Sequence, residues 1–382
     1  MQTVEHTDVG LPFERLRRRP DVEAPDLVAV DGADRLLLDE SEKARLALGQ
    51  GELAVVGDAY GALTLAAVHD GARRVRVHQD ALTGERALAA NAAELGVPAE
   101  FSSLPLTADL VRDARVVLVR LPRSLDALRD IAGLIAAHAA PDAVVYAGGR
   151  VKHMTLAMND VLREFFATVD VTHARQKSRV LVARGPRGGR DPQPATAVAD
   201  GVTVCAFGGA FAGARIDIGT RLLLAHLPAS LPGTAGTADD PLIDLACGTG
   251  VVAVHLALRH PAAHVHASDQ SAVAVASARA TLAANGVATR VTVVRDDALG
   301  TRGDASASFI ALNPPFHSGA AVSDAVAPRL FADAARVLRP GGELWCVWNS
   351  PLAYRASLER IVGPTRQVAR NAKFTVTVSI AR

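Results

Sequence analysis

The apolar residues of this chain gather into short unbroken runs, and longer segments with helical spacing stand between them. Leu53-Ala54-Val55-Val56 is one such run. A turn through Gly57 and Gly61 follows it, then an apolar helix, a strand over residues 74–78, and Asp80. Leu242-Ile243-Asp244-Leu245 opens a second series in the same order. Here the turn runs through Gly248 and Gly250, a helix over residues 251–259 must stop near Pro261, and a strand over residues 263–267 leads to Asp269. Runs at 290–294, 309–312 and 344–348 predict further strands of this half. Strands that are apolar without alternation are buried on both faces. Alternating with helices, they predict a parallel sheet with helices on each side.

The two series are spaced alike. Nineteen residues separate Gly61 from Asp80, and nineteen separate Gly250 from Asp269. Leu88-Ala89-Ala90-Asn91 then matches Leu282-Ala283-Ala284-Asn285. A shared order at equal intervals argues for duplication. Between the copies, the Gly- and Pro-rich stretch 185–194 is expected to hold neither helix nor strand and reads as a linker. The expected division is 1–185 for the first domain, 186–197 for the linker and 198–382 for the second.

Composition narrows the classes without choosing one. A chain of 382 residues suits two domains, and 49% hydrophobic with 21% charged residues suits globular ones. No stretch of 18 uncharged apolar residues is present, so no membrane span is expected. The first residues lack the basic-then-apolar order of a signal peptide. Cys205, Cys247 and Cys346 lie far apart without metal-ligand spacing, which fits a reduced, cytoplasmic setting. A net charge of +1 exerts no overall pull on nucleic acid. Two local clusters, Arg15 with Arg17, Arg18 and Arg19, and Arg184 with Arg187 and Arg190, read equally as phosphate contacts or as solvated charge. His255, His260, His264 and His266 straddle Pro261 on a helix end and a strand, so they should not converge on a metal. Trp345 and Trp348, three apart on a strand, should face opposite ways.

The turn of the second copy points to a ligand. Gly248 and Gly250 let the backbone turn tightly and approach a bound group, with Ala246 and Cys247 leading in. Ligands of such sheets sit beyond the carboxyl ends of the strands. Asp269 can there accept hydrogen bonds from a ribose diol. Asp296 and Asp297 follow the third strand, and Asp297 is the better candidate for an adenine amino group. A nucleotide site or a purely structural turn would show similar glycines. Asp244 tips the reading, because a carboxylate beside the turn repels a pyrophosphate and favours a cation. S-adenosylmethionine has an α-amine, a sulfonium and no phosphate, and is the expected cofactor.

The fourth strand ends in Asn313-Pro314-Pro315-Phe316. Two prolines fix φ and remove backbone donors, leaving carbonyls to face a ligand. An amide or aromatic amine is a poor nucleophile because its lone pair is delocalised. With its two protons accepted by the Asn313 side-chain oxygen and the Pro314 carbonyl, such a nitrogen can turn pyramidal and aim at a methyl group. Holding nitrogen, methyl and sulfur in line is worth up to ~7–11 kcal/mol. Phe316 would stack on a planar acceptor, roughly 1–3 kcal/mol for a base. His317 beside it reads equally as an acceptor contact or a loop residue.

With these residues the chain resembles the tandem-domain ribosomal RNA guanine-N2 methyltransferases. The resemblance covers nearly the whole chain. It includes Phe211, Ile216-Asp217-Ile218-Gly219-Thr220, Trp348-Asn349, Leu352, Tyr354 and Asn371-Ala372-Lys373-Phe374, besides the two motifs above. In the first half, Arg120-Leu121-Pro122-Arg123-Ser124, Val151-Lys152-His153 and Gln176-Lys177-Ser178-Arg179 are closer to the large-subunit branch. A departure is Ser350, where that branch usually carries a basic residue. The resemblance implies an α/β protein of two tandem Rossmann-like class I methyltransferase domains, the first degenerate. It adds Asp217 and Thr220 to the cofactor residues and makes ribosomal RNA or a ribosomal subunit the partner of a monomeric enzyme. In the first copy Val55 stands for Asp244, Ala59 for Gly248 and Leu121-Pro122-Arg123 for the proline motif, while Asp80 persists. That copy is expected to bind RNA or shield the other, with Lys152, Lys177 and Arg179 as candidate phosphate contacts. The residues alone also admit a glutamine, DNA adenine or small-molecule acceptor, and a non-catalytic RNA-binding or ribosome-assembly factor.

Overall fold

A computed structural model describes residues 10–315 and 320–382, with the backbone alone described at 320–325. The chain divides into two compact units, Met1–Gln193 and Pro194–Arg382.

In the first unit helix α1 (Gly32–Leu46) precedes β1 (Leu53–Val56), α2 (Ala62–His69), β2 (Val75–His78), α3 (Leu82–Leu95) and β3 (Phe101–Ser103). There follow α4 (Ala108–Val111), β4 (Val116–Arg120), α5 (Leu125–His138), β5 (Val144–Arg150), α6 (Leu156–Phe165), β6 (Phe166–Val171) and β7 (Ser178–Pro186). The seven strands lie in the order β3-β2-β1-β4-β5-β7-β6, with β7 antiparallel to its neighbours. Successive residues of a strand face opposite sides. Val55 therefore joins the apolar cluster of Leu63 and Leu88, and Ala54 and Val56 join that of Leu128 and Phe165.

The second unit starts with the hairpin β8 (Ala195–Ala199) and β9 (Val202–Ala206), turning at Asp200 and Gly201, both with positive φ. Helix α7 (Ile218–Leu224), β10 (Leu242–Leu245), α8 (Val251–Arg259), β11 (Val265–Asp269), α9 (Ala272–Ala284) and β12 (Val291–Arg295) come next. They lead to β13 (Ala307–Leu312), α10 (Ala320–Val337), β14 (Leu338–Asn349), α11 (Arg355–Ile361), β15 (Thr365–Arg370) and β16 (Phe374–Ile380). The order β12-β11-β10-β13-β14-β16-β15 repeats that of the first sheet strand for strand. The fold is the doubly covered α/β sheet that the apolar runs implied, present twice. Trp345 and Trp348 belong to clusters on opposite faces. No helix of the described residues is long and apolar enough to cross a membrane.

Boundaries differ from expectation in physically simple ways. β11 runs to Asp269, which pairs with Arg295, so this acid is the last strand residue. β14 is far longer than 344–348, because it turns at Gly341 (φ 82°) and pairs along β16. Gly185 and Pro186, expected outside any element, close β7. They extend past the end of β5 and pair only toward β6, where a missing N–H costs nothing on the open side. The residues after them pack on their own unit: the Arg187 amide donates to the Phe165 carbonyl (2.8 Å) and the Arg190 amide to that of Gly133 (3.0 Å).

Candidate active site

A cleft opens at the carboxyl ends of β10 and β13, lined by Phe211, Asp217, Thr220, Asp244, Ala246, Gly248 and Asn313. Asp244 is the penultimate residue of β10 and shares the face of Leu242, where the first unit has Val55. Its carboxylate is buried and accepts from the Ala253 amide (2.9 Å) in the first turn of α8. Burial pushes its pKa up to about 7 against the pull of that single amide, and Asp269 adds to the rise. The site thus holds an acid with too little compensation, which a cation would supply.

The turn is left-handed at three residues: Ala246 (φ 57°), Gly248 (φ 53°) and Gly250 (φ 77°). An alanine held there is strained, and such strain concentrates at functional loops. A Cβ at Gly248 would meet no protein atom. A Cβ at Gly250 would stand 3.0 Å from that of Ala278, so this glycine lets α8 lie against α9. Asp269 fastens the turn, its oxygens accepting from the Gly248 amide (3.0 Å) and the Ser271 amide (2.9 Å). Asp296 is fully buried and accepts from the Thr301 amide and hydroxyl (2.7 and 2.8 Å) and from the Asp297 amide (2.8 Å). Asp297 forms an ion pair with Arg329.

Asn313 directly follows β13, with Pro314 buried behind it and Pro315 exposed. Its amide nitrogen donates to the Thr220 hydroxyl (2.9 Å) and lies 3.5 Å from Asp217 Oδ2. Asp217 caps α7 by accepting from the Gly219 and Thr220 amides (2.9 and 3.3 Å). Asn313 Oδ1 is buried and has no hydrogen-bond partner among the described residues. An orphaned buried acceptor costs about 1–3 kcal/mol, so it marks a place where something else donates. Phe316 and His317 lie outside the described residues.

The cleft therefore unites Asp244, Ala246, Gly248, Asp217, Thr220 and Asn313. Asp269 joins through Gly248, whereas Asp297 stands apart on Arg329.

Sequence reading gave no role to several residues that hold this arrangement. Asn285 exchanges hydrogen bonds with the Thr203 backbone (3.0 and 2.7 Å), tying β9 to α9. Asn91 does the same with the backbone of Arg17 (2.9 and 2.8 Å). Asp240, fully buried, accepts from the Ser308 amide and hydroxyl (2.6 and 2.7 Å) and pairs with Arg339. The matching Leu-Ala-Ala-Asn segments were the available signal for the asparagine clamps. The arginine clusters are engaged locally: Arg18 with Asp21 and over the Tyr60 ring, Arg19 with Glu23, Arg184 with Asp170, Arg190 over Phe165.

Comparison with known proteins agrees with this architecture. Residues 5–187 match the family model described as RLMG N-terminal domain, and residues 201–378 match the Methyltransferase small domain. A protein of Streptomyces avermitilis named Ribosomal RNA large subunit methyltransferase G is 35% identical over 96% of this chain and 97% of its own length. One of the same name from Pseudomonas aeruginosa is 33% identical with the same coverage. A T. thermophilus 16S rRNA N2 methyltransferase, solved with AdoMet and guanosine, shares the fold at a TM-score of 0.72, with 21% identity over 92% of each chain.

Proposed function

The chain belongs to the ribosomal RNA large subunit methyltransferase G family, and from that premise we propose that it methylates the exocyclic N2 amine of a guanosine in large-subunit ribosomal RNA. The large-subunit branch is the one that the first-half motifs favoured. S-adenosylmethionine supplies an electrophilic methyl group when bound.

The residues present suit that cofactor. The buried, undercompensated Asp244 carboxylate faces a cleft that favours positive charge. Gly248 leaves its backbone bare for close approach, and Asp269, which fastens the turn at the end of β11, is the candidate acceptor for the ribose hydroxyls. Asp297, outside the cleft lining and paired with Arg329, is the proposed contact for the adenine amine and would exchange that partner on binding.

The acceptor end rests on Asn313. Its Oδ1 takes one proton of the guanine amine as a hydrogen bond and the Pro314 carbonyl takes the other. The nitrogen lone pair is then freed from the ring and directed along the transfer axis. No strong base is needed, because the proton leaves to water after the bond has formed. A guanine in a duplex must first leave its stack to reach such a cleft. Phe316 would stack on the base. We assign the chemistry to the second unit and RNA support to the first, where the Val151 amide donates to the Lys177 carbonyl (2.9 Å) and so joins the segments that carry Lys152 and Lys177. We place the enzyme in the cytoplasm, as a monomer.

The single observation that carries this reading is the buried Asn313 Oδ1, without a partner among the described residues, in the same cleft as Asp244. Incubation with methyl-labelled cofactor and unmethylated large-subunit RNA tests it. Label should enter the RNA as N2-methylguanosine. Label confined to protein, DNA or small molecules would overturn it.

A further inference from the structure

The Asn313 amide could in principle lie either way round, and only one way presents oxygen to an acceptor amine. What fixes it is on α7. Asp217 is acceptor-only as a carboxylate, so it tolerates the NH₂ end of the amide beside it and repels the oxygen. Thr220, one turn into the helix, takes the stronger of the two contacts at 2.9 Å. The cap that Asp217 places on the Thr220 amide holds that hydroxyl in register with the end of β13.

The first unit supplies an independent comparison. The pairing of Val56 with Val119 corresponds to that of Leu245 with Leu312, so Arg120 stands where Asn313 stands. Asp31 caps α1 through the Ala33 and Asp34 amides (2.7 and 3.4 Å), as Asp217 caps α7 through Gly219 and Thr220. Asp34 is therefore the counterpart of Thr220. The same three places touch again, since Arg120 bonds both Asp31 and Asp34. Where the second unit has an amide at the strand end and a hydroxyl on the helix, the first has a guanidinium and a carboxylate, and both have the capping aspartate. The strand-end and helix positions behave as one unit.

We propose that Thr220 is a positioning residue for methyl transfer, anchoring the Asn313 amide in the sense that the Asp217 carboxylate selects so that Oδ1 meets the acceptor amine, and that its role is distinct from holding the cofactor. This rests on the assignment of Asn313 above. Thr220→Val keeps the side-chain shape and removes the hydroxyl, whereas Thr220→Ser keeps the hydroxyl. Both are compared with the parent enzyme and Asn313→Ala for kcat and KM on unmethylated large-subunit RNA, and for cofactor affinity by calorimetry. Thr220→Val should lose about tenfold or more in kcat, the scale of one lost hydrogen bond in the transition state. Its cofactor affinity should stay within about twofold of the parent's, and Thr220→Ser should recover most of the rate.

A Thr220→Val enzyme with parental kcat, while Asn313→Ala is inactive, would overturn the positioning role alone. So would a loss that follows weakened cofactor binding, or a serine variant no better than valine. An active Asn313→Ala would overturn the assignment beneath it as well.

Discussion

At the residue scale the second unit is defined by two side chains held at an energetic disadvantage. Asn313 keeps a buried oxygen to which no described residue donates, and Asp244 keeps a buried carboxylate with one amide for company among the described residues. Removing the first, as Asn313→Ala, should lower kcat by roughly 10²–10³-fold, the loss typical of one preorganised group at a transition state. Cofactor affinity should remain, and calorimetry checks it. The second makes cofactor binding pH-dependent. With its pKa near 7 in the free protein, Asp244 is substantially protonated below neutrality. A cationic ligand favours the ionised form, so binding releases a proton and affinity rises as pH climbs through about 6 to 8. Titrations in buffers of different ionisation enthalpy should show that release at pH 6.5, and Asp244→Asn should abolish it. Both residues were legible in the sequence, because an acid ahead of a Gly turn and an Asn-Pro-Pro strand end are rare patterns with a chemical reason. Their partners were not. Thr220 stands 93 residues from Asn313, and no local pattern reports a contact across that distance.

At the element scale the molecule is held by devices that appear twice. Strands were legible because continuous apolar runs have one reading in a doubly covered sheet, and α2 and α8 because they are apolar nearly all round. Their ends were less so, since pairing partners decide them: β14 begins where Leu338 pairs with Ala307 of β13, turns at Gly341, and pairs with β16 from Glu343 to Asn349. The stretch around Gly185 and Pro186 misled because proline is tolerated where only one neighbour pairs. Asn285 is the element-scale fastener of the second unit, and Asn285→Ala should destabilise it by roughly 1–3 kcal/mol by stranding the Thr203 backbone groups. Chemical denaturation should show a lower midpoint with an unchanged slope. A midpoint equal to the parent's would mean that the clamp is not a stabilising contact.

At the scale of the whole molecule, duplication has produced two sheets of identical order with different chemistry at their strand ends. In the first unit the site has become an ion cluster. Arg120 lies between Asp31 and Asp34, and burial holds the Asp34 pKa up to about 6 even with the guanidinium present. A folded pKa raised above the unfolded value makes stability fall as pH rises through the interval, here from about 4 to 6. Without Arg120 the Asp34 pKa rises further, Asp31 loses the guanidinium that holds its own pKa down, and the loss extends upward. Arg120→Ala should therefore cost the first unit roughly 2–4 kcal/mol near pH 8, discounted for partial exposure, and markedly less near pH 5. Melting curves at the two pH values check this, and equal losses would contradict it. Cofactor binding by the second unit should be unaffected.

The most direct test of the central claim, that this chain methylates guanine N2 in large-subunit ribosomal RNA through Asn313, is nucleoside mass spectrometry on ribosomal RNA from a strain deleted for the gene. Complementation with the parent chain should restore one N2-methylguanosine, and complementation with Asn313→Ala, expressed to the same level, should leave it missing. An unchanged N2-methylguanosine content in the deletion strain, or full restoration by Asn313→Ala, would contradict it.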